Sequence, residues 1–455
     1  MKKLISIFMC LLLTLSCAAC GKKAEEPGKE TAAQKEESKE TVGSQSESKQ
    51  PGGNVQEDVI KIGVLYPTTG SSSVIGLTCQ QACIMAAEII NGSYPDLDMP
   101  LAAEEGLPNL NGAKIEVVLG DTQGDPIYGQ SEAERMITQE GVVAIVGCFN
   151  SSVGLTISQI CQQYEVPFIN ADCASKSLSL NNEGYEWHFR TGFVETATAE
   201  GYFDYMDALR EKGEEINTLA LVYENSEAGI TASDSQRELA EKRGYEIVLE
   251  VSYPSSTTDV SSEAKKIKAA DPDVIIHGTY VSDAILYTEA YKALNYNPKM
   301  LLACSGGFTT PQYLEAVNSD GNYYSCLDTW SISLGETKPL VTQVNEIYQS
   351  MYGADKMMDG VNARSFNGMI TICDAINRAG STENKAIFDA LLETNIDAGK
   401  LITAYGIEFD EASHDNKHAS LLMTQIFDGE YLVTWPFDSA GADYVYPIPA
   451  WSERP

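Results

Sequence analysis

"VAIVGCFNSSVGLTIS", residues 143–158, holds the pattern from which the fold is read. An apolar run closes at Gly147, a small polar cluster of Asn150, Ser151 and Ser152 follows, and apolar residues then resume at a different spacing. Val153, Ile157, Ile160, Cys161 and Tyr164 fall on one face of a helix, so the stretch predicts a buried strand, a tight turn and a helix beginning at the polar cluster. Unpaired N–H groups and hydroxyls at such a helix start suit a carboxylate or another anion. A nucleophile elbow requires G-x-S-x-G; with Ser152 and Gly154 in place, the first position is Asn150 rather than glycine. Ser151 therefore has two readings, a helix N-cap worth about 1 kcal/mol or a ligand contact.

The same unit recurs outward in both directions. "IKIGVLYP", "KIEVVLGD" and "VPFINA" are apolar runs alternating with helical patterns at 74–91, around "GQSEAERMITQEG" and from Ser152 onward. After "EWHFRT" the alternation restarts: helix 195–211, "TLALVYEN", helix 227–243, "YEIVLEVSYP", helix 260–269, "DVIIHGTY", helix 281–294 and "KMLLACSG". Such alternation indicates parallel sheets covered by helices on both faces. Further helices are expected near 338–352, 362–380 and 384–394, then extended segments "YGIEFD" and "TQIFDGEYLVTWPF", so the chain visits each of two α/β lobes more than once. Two lobes are also the default for about 400 ordered residues. Asp259 and Pro272 bound the helix between them. The segment "NGSYPDLDMPLAAEEGLPNLNGAK" (91–114) reads as an ordered surface loop.

The N-terminus speaks to compartment. Met1-Lys2-Lys3 precedes an apolar run from Leu4 to Leu15 that is short for a bilayer span, then "SCAACGKK": an export signal. Ala18-Ala19-Cys20-Gly21 resembles a bacterial lipobox, making Cys20 the expected lipidated first residue of the mature chain, although Cys17 stands where leucine is usual. Residues 21–57 are polar, charged and Gly/Pro-containing and are expected to form a disordered tether. No second apolar run reads as long enough to span a bilayer, so the expected membrane contact is the lipid. With 31 basic and 65 acidic residues the formal charge is 31 − 65 = −34, which argues against a nucleic-acid partner and fits extracytoplasmic solubility. Eight cysteines follow Cys20, mostly in apolar runs where thiols serve as small buried side chains; Cys148 with Cys173 is the pair to test for a disulfide.

No enzyme chemistry is assembled. Among the four histidines, His277 lies in an apolar strand and reads as core, while His414 and His418 lie in a late acidic loop that reads as a solvated turn. Neither a Walker motif nor G-x-G-x-x-G occurs, and no metal or cofactor is expected. In open parallel sheets the ligand site lies beyond the carboxyl ends of the strands. Here those loops include "YPTTGSSSVIG", "GCFNSSVG" and "NADCASKS" in one lobe and "YENSEAG", "GTYVSD" and "CSGGFTT" in the other.

From Ile60 to Pro455 the order of "IKIGVLYPTTG", "GDTQGDP", "VVAIVGCFNSS", "VPFINADCASKS", "ALVYENSEAG", "GTYVSDA" and "VYPIPAWSER" resembles the branched-chain amino acid type I periplasmic binding proteins, the substrate-binding components of ABC importers. The resemblance implies two doubly wound parallel-sheet lobes joined by a three-crossover hinge. It places 1–19 as lipoprotein signal, 20–57 as lipidated tether, 58–191 with 329–403 as the first lobe, and 192–328 with 404–455 as the second. It also implies a small polar solute, amino acid or amide-like, a membrane permease as partner, and extracytoplasmic anchoring through Cys20. Ser151 matches the family's carboxylate contact, with Asn150 and Ser152 beside it. Asp172, Cys173, Ala174 and Ser175 match the segment completing the site, with alanine at the usual threonine position, and Tyr280 matches the second-lobe aromatic. The acid that holds a leucine-type ammonium falls near Gly306, where no carboxylate exists. Asp172, Glu195 or Asp283 could supply that charge, or the ligand could lack an amine. Tyr66 and Thr69 line the first loop, where turn formation is an equal reading; Tyr280 could equally be core. Arg190 reads as a hinge partner and Asp121 as ordering its own loop. A sensor signalling to a membrane receptor and, more remotely, a small-amide hydrolase are the competing functions.

Overall fold

The computed structural model describes residues 59–454 apart from Glu183, Ser305, Asp438 and Ser439. The export signal, Cys20 and the tether lie outside the described residues, all of which belong to one compact unit.

The first lobe is built on β1 (Val59–Tyr66), β2 (Lys114–Asp121), β3 (Ala144–Gly147), β4 (Phe168–Asn170) and β5 (His188–Arg190), all parallel in the order β2-β1-β3-β4-β5. Four-residue β3 is buried throughout because it is central and covered on both faces, whereas most of edge strand β2 is only partly buried or exposed. One face carries α1 (Ser73–Asn91), α9 (Pro339–Tyr352), α10 (Gly360–Ala379) and α11 (Asn384–Leu392); the other carries α2 (Pro126–Arg135) and α3 (Ser151–Tyr164). The second lobe repeats this plan. Its strands are β6 (Thr218–Glu224), β7 (Glu246–Tyr253), β8 (Val274–Gly278), β9 (Leu301–Cys304) and β10 (Ser325–Asp328), in the parallel order β7-β6-β8-β9-β10. Helices α4 (Glu195–Glu211) and α5 (Glu227–Arg243) cover one face, and α6 (Ser261–Ala270), α7 (Val281–Ala293) and α8 (Pro311–Val317) the other.

Local chemistry sets the helix ends. Asp125 caps α2 ahead of Pro126 at its first position. Ser226 caps α5, which stops at left-handed Gly244. Asp359 and Asn362 form a reciprocal capping box at the start of α10. At Gly76 a Cβ would stand 1.8 Å from the Pro67 carbonyl, so only glycine lets α1 pack onto the loop that follows β1.

Two features add detail to the expected plan, and one expectation is corrected. The second sheet is not wholly parallel: β13 (Leu422–Phe427) joins β10 antiparallel, and β14 (Glu430–Trp435) follows through a hairpin. The left-handed Asp428-Gly429 pair makes that two-residue turn possible. The third passage between lobes comes later than residue 404. Short strands β11 (Asn395–Ile396) and β12 (Ile407–Glu408) pair with each other. Ile402, Ile407 and Phe409 pack into the first-lobe core, and the chain enters the second between Asn416 and Leu421. Finally, α1 is 19 residues long and apolar enough to cross a membrane by length and composition. It is instead a core helix held between its sheet and α10, with Ile75, Cys79, Met85 and Ile89 buried. Segment 91–114 is ordered, as expected, and sends Leu97, Met99 and Leu107 into the core.

Arg364 on α10 lies at the second passage between lobes, its side chain 2% exposed. Nε stands 3.0 Å from Asp172 Oδ1 of the first lobe and Nη1 3.5 Å from Asp328 Oδ1 of β10. Burial pushes the Asp359 carboxyl up to about 7, with Asp328 adding to the shift and Arg364 opposing it. Burial likewise raises Asp328 to about 6 against the pull of Arg364. Both groups therefore bind protons more tightly in the folded state than in the unfolded chain. The associated stability is fully present below about pH 4 and is lost as pH rises through 6 to 7. Asp359→Asn keeps a side-chain oxygen for the α10 cap and removes one of these groups. Urea midpoints at pH 5 and pH 8 should then lie closer together than in the parent, chiefly through added stability at pH 8; an unchanged gap would refute the assignment.

Candidate ligand-binding cleft

Both sheets reverse strand order beside their first strand, between β1 and β3 and between β6 and β8, and the crevice forms at such switch points. A cavity of about 120 Å³ lies there between the lobes, comparable to the roughly 150 Å³ cavity that holds benzene in an engineered core. From the first lobe it is lined by Phe149, Ser151, Asp172 and Ala174; from the first passage by Phe193; and from the second lobe by Glu195, Tyr202, Glu224, Thr279 and Tyr280, among others.

The first-lobe wall centres on the start of α3. Ser151 is its first residue and is 3% exposed, with its Oγ 3.4 Å from the Ser175 amide. Asn150 precedes it but makes no side-chain cap hydrogen bond, and its Oδ1 is buried without a partner. The first-turn N–H groups of a helix have no intrahelical acceptor, and here no cap replaces one. Ser151 and its backbone therefore present a neutral, donor-rich surface suited to a carboxylate.

The second-lobe wall is acidic. Glu195, first residue of α4, is 3% exposed and neither carboxylate oxygen has a hydrogen-bond partner. Burial raises its pKa, against the opposing pull of nearby backbone amides and of the Arg190 and Lys176 charges. Glu224 at the end of β6 is 6% exposed and is raised by burial, with Asp283 contributing in the same direction. Aromatic groups close the remainder: the Phe149 and Tyr280 rings meet across the cleft with centroids 5.4 Å apart. Beside the cavity, Glu227 at the start of α5 accepts hydrogen bonds from Ser175 (3.2 Å) and Ser177 (2.9 Å), so the two lobes touch directly.

Of the residues singled out in the sequence, the structure brings Ser151, Asp172, Ala174, Glu195 and Tyr280 to the cavity, and with them His277, which the sequence placed in the core. Others stand behind them. Tyr66 is buried, donates to Asp172 Oδ2 at 2.9 Å and positions that carboxylate rather than facing the cleft. Asp172 is thereby occupied by Tyr66, Ser365 and Arg364 and has little left for a ligand ammonium. Thr69 bonds Asp121 at 2.7 Å, and Asp121 accepts the Thr68 and Gln123 amides, so both order the first loop. Ser152, the second residue of α3, is not among the residues that line the cavity. Ser175 is fully buried against Glu227. Asp283 is 2% exposed and bonded to Tyr253. Gly306, at φ +111°, backs onto the Phe149 ring, where a Cβ would approach to 3.0 Å. Cys173 and Cys148 are adjacent free thiols, Sγ to Sγ 3.2 Å, buried beneath the loops.

Arg190 is spent on the hinge, donating to the Ala174 and Ser175 carbonyls and standing 3.1 Å from Asp415. His277 is buried against Tyr291 at 2.8 Å, and burial pushes its pKa down to about 3. His414 stacks on Phe189, His418 faces Glu408, and no group of acids, cysteines and histidines could hold a metal among the described residues. Sequence reading missed Phe149, Phe193, Tyr202 and Glu224. The first sits inside the opening motif and Glu224 closes "TLALVYE", so a strand-end position was their available signal. Phe193 and Tyr202 carried none, since both match ordinary core residues.

The body is bilobed α/β, with its cleft at the strand ends of both sheets. A family model described as "Periplasmic binding protein" matches residues 59–430. The Leu/Ile/Val-binding protein homolog 7 of Brucella abortus (strain 2308) is 26% identical over 385 residues, covering 83% of this chain and 91% of that protein. Among solved structures, the branched-chain amino acid transporter substrate binding protein LivJ of Streptococcus pneumoniae, in complex with isoleucine, superposes with a TM-score of 0.69 at 19% identity. It covers 86% of this chain and 100% of that one. A solute binding protein of an ABC transporter from Rhodopseudomonas palustris BisB5, in complex with 3,4-dihydroxy benzoic acid, superposes with a TM-score of 0.70 at 16% identity, covering 87% and 99%. The chain belongs to the periplasmic binding protein family.

Proposed function

We propose that this protein is the lipid-anchored substrate-binding component of an ABC importer, that its solute is a small α-amino acid or a close zwitterionic analogue, and that it hands this solute unchanged to a permease. The observation that carries the reading is the division of charge across the cleft. The uncapped start of α3 at Ser151 suits a carboxylate, and Glu195 on the opposite wall holds two buried oxygens without a partner. A solute with both groups would touch both lobes and so favour the closed conformation over the open one. Both amino-acid and aromatic-acid binders occur among the relatives. The unpaired Glu195 favours the former, since an aromatic acid brings no cation. The lipobox-like Ala18-Ala19-Cys20-Gly21 supports anchoring and the extracytoplasmic setting.

Calorimetric titration with the common amino acids and with benzoate tests this. At least one neutral amino acid is expected to bind 100-fold or more tightly than benzoate. Ser151→Ala should weaken it by about 1.5–3 kcal/mol, the range for a hydrogen bond to a charged group. Preference for benzoate, or unchanged affinity in Ser151→Ala, would overturn the reading.

A further inference from the structure

A second cavity, about 300 Å³ and more than twice the volume of the first, opens where β10, the start of α10, α8 and the β13–β14 hairpin meet. We propose that it binds an organic ammonium ion with an apolar body. Two buried carboxylates line it: Asp328, 4% exposed, and Asp359, 5% exposed. Each is engaged through Oδ1 only, Asp328 by Thr329 and Arg364, Asp359 by the Val361 and Asn362 amides. Neither Oδ2 has a hydrogen-bond partner among the described residues, so two acceptors are open to an N–H donor. Arg364 does not neutralise the pair, because it is shared with Asp172.

The remaining lining decides the class of cation. Trp330, Ile332, Met358 and Tyr431 provide an apolar, partly aromatic wall, and aromatic rings attract ammonium groups. At the mouth, Glu315 and Glu430 add negative charge, and no lysine or arginine is among the described lining residues; Lys356 is occupied by Asp355 at 3.1 Å. A bare metal ion does not fit this arrangement. Calcium requires six to eight converging oxygens, and no group of three candidate metal ligands converges among the described residues. The cavity takes residues from both lobes, Asp359 and Met358 from the first and Asp328 and Tyr431 from the second. A molecule held there would bridge them independently of the main cleft.

Titration calorimetry of the full-length protein with 2-phenylethylammonium chloride tests the site, with 2-phenylethanol as the uncharged counterpart. Saturable binding of the ammonium is expected, with the alcohol at least tenfold weaker. Asp359→Asn, which retains the α10 cap, should weaken binding at least tenfold, and so should Met357→Trp, a substitution at the 43%-exposed rim that fills the mouth without touching the core. Glu195→Gln, in the main cleft, should leave it unchanged. Absence of saturable binding, equal binding of the alcohol, or loss in Glu195→Gln with retention in Asp359→Asn would each overturn the proposal.

Discussion

Arg364→Met is expected to lower the unfolding free energy by about 3–5 kcal/mol, the cost of leaving a buried charge without its partner. The guanidinium is almost completely buried, bridges Asp172 and Asp328, donates to Thr329 Oγ1 at 3.0 Å and lies 5.0 Å over the Phe193 ring. Methionine fills comparable space but leaves two carboxylates facing each other in a low-dielectric interior. Asp172→Asn placed on the methionine background should recover a substantial part of the loss, whereas alone it should destabilise, since the arginine then loses its Asp172 carboxylate. Urea unfolding of the four proteins gives that non-additivity directly. A loss below about 1 kcal/mol, the value for an exposed pair, would show that the arginine does not hold the passage. Because Asp172 and Phe193 also line the cleft, solute affinity should fall in the same variant.

Glu195→Gln is expected to reduce amino-acid affinity by about 10- to 150-fold, the equivalent of about 1.5–3 kcal/mol for a charge-assisted hydrogen bond. Glu224→Gln should give a smaller loss in the same direction, because Glu224 already shares its surroundings with Asp283. Calorimetry reads both. The pH dependence carries a sign. Burial raises both carboxyls above the usual carboxylate range. As pH falls through the raised values each takes up a proton and stops attracting an ammonium, so affinity should weaken toward acid pH in the parent and change less in the Glu195→Gln, Glu224→Gln double variant. Without solute the signs reverse: ionising Glu195 costs folding energy, so the solute-free glutamine variant should be the more stable protein at neutral pH. A variant that binds its amino acid as tightly as the parent would remove Glu195 from the site.

Much of the architecture was legible because strand and helix periods alternate without interruption. The helices over 195–211 and 227–243 end where the pattern ends, and Asn150–Ser152 sits at a strand-to-helix junction as read. The hairpin and the later third passage were less legible. "YGIEFD" has strand composition, yet only Ile407 and Glu408 join a strand ladder; Phe409 makes an isolated bridge to Asn416 and is drawn into the aromatic cluster of Phe189 and His414. A local pattern does not say which core a segment joins.

The site divides along the same line. Ser151, Glu195 and Tyr280 could be marked as strand-end or helix-start residues from the chain alone, since those positions follow from short-range periodicity. That Tyr66 would serve Asp172 instead of a solute, that Asp172 would be consumed by an arginine 192 residues away, and that Glu195 would be left without a partner are outcomes of packing. By itself the amino-acid order determined two repeated α/β lobes, because secondary structure depends on neighbours a few residues apart. Only the tertiary structure decided which carboxylates are neutralised and which remain open to a ligand, because charge balance in a buried site is settled by groups that meet through space.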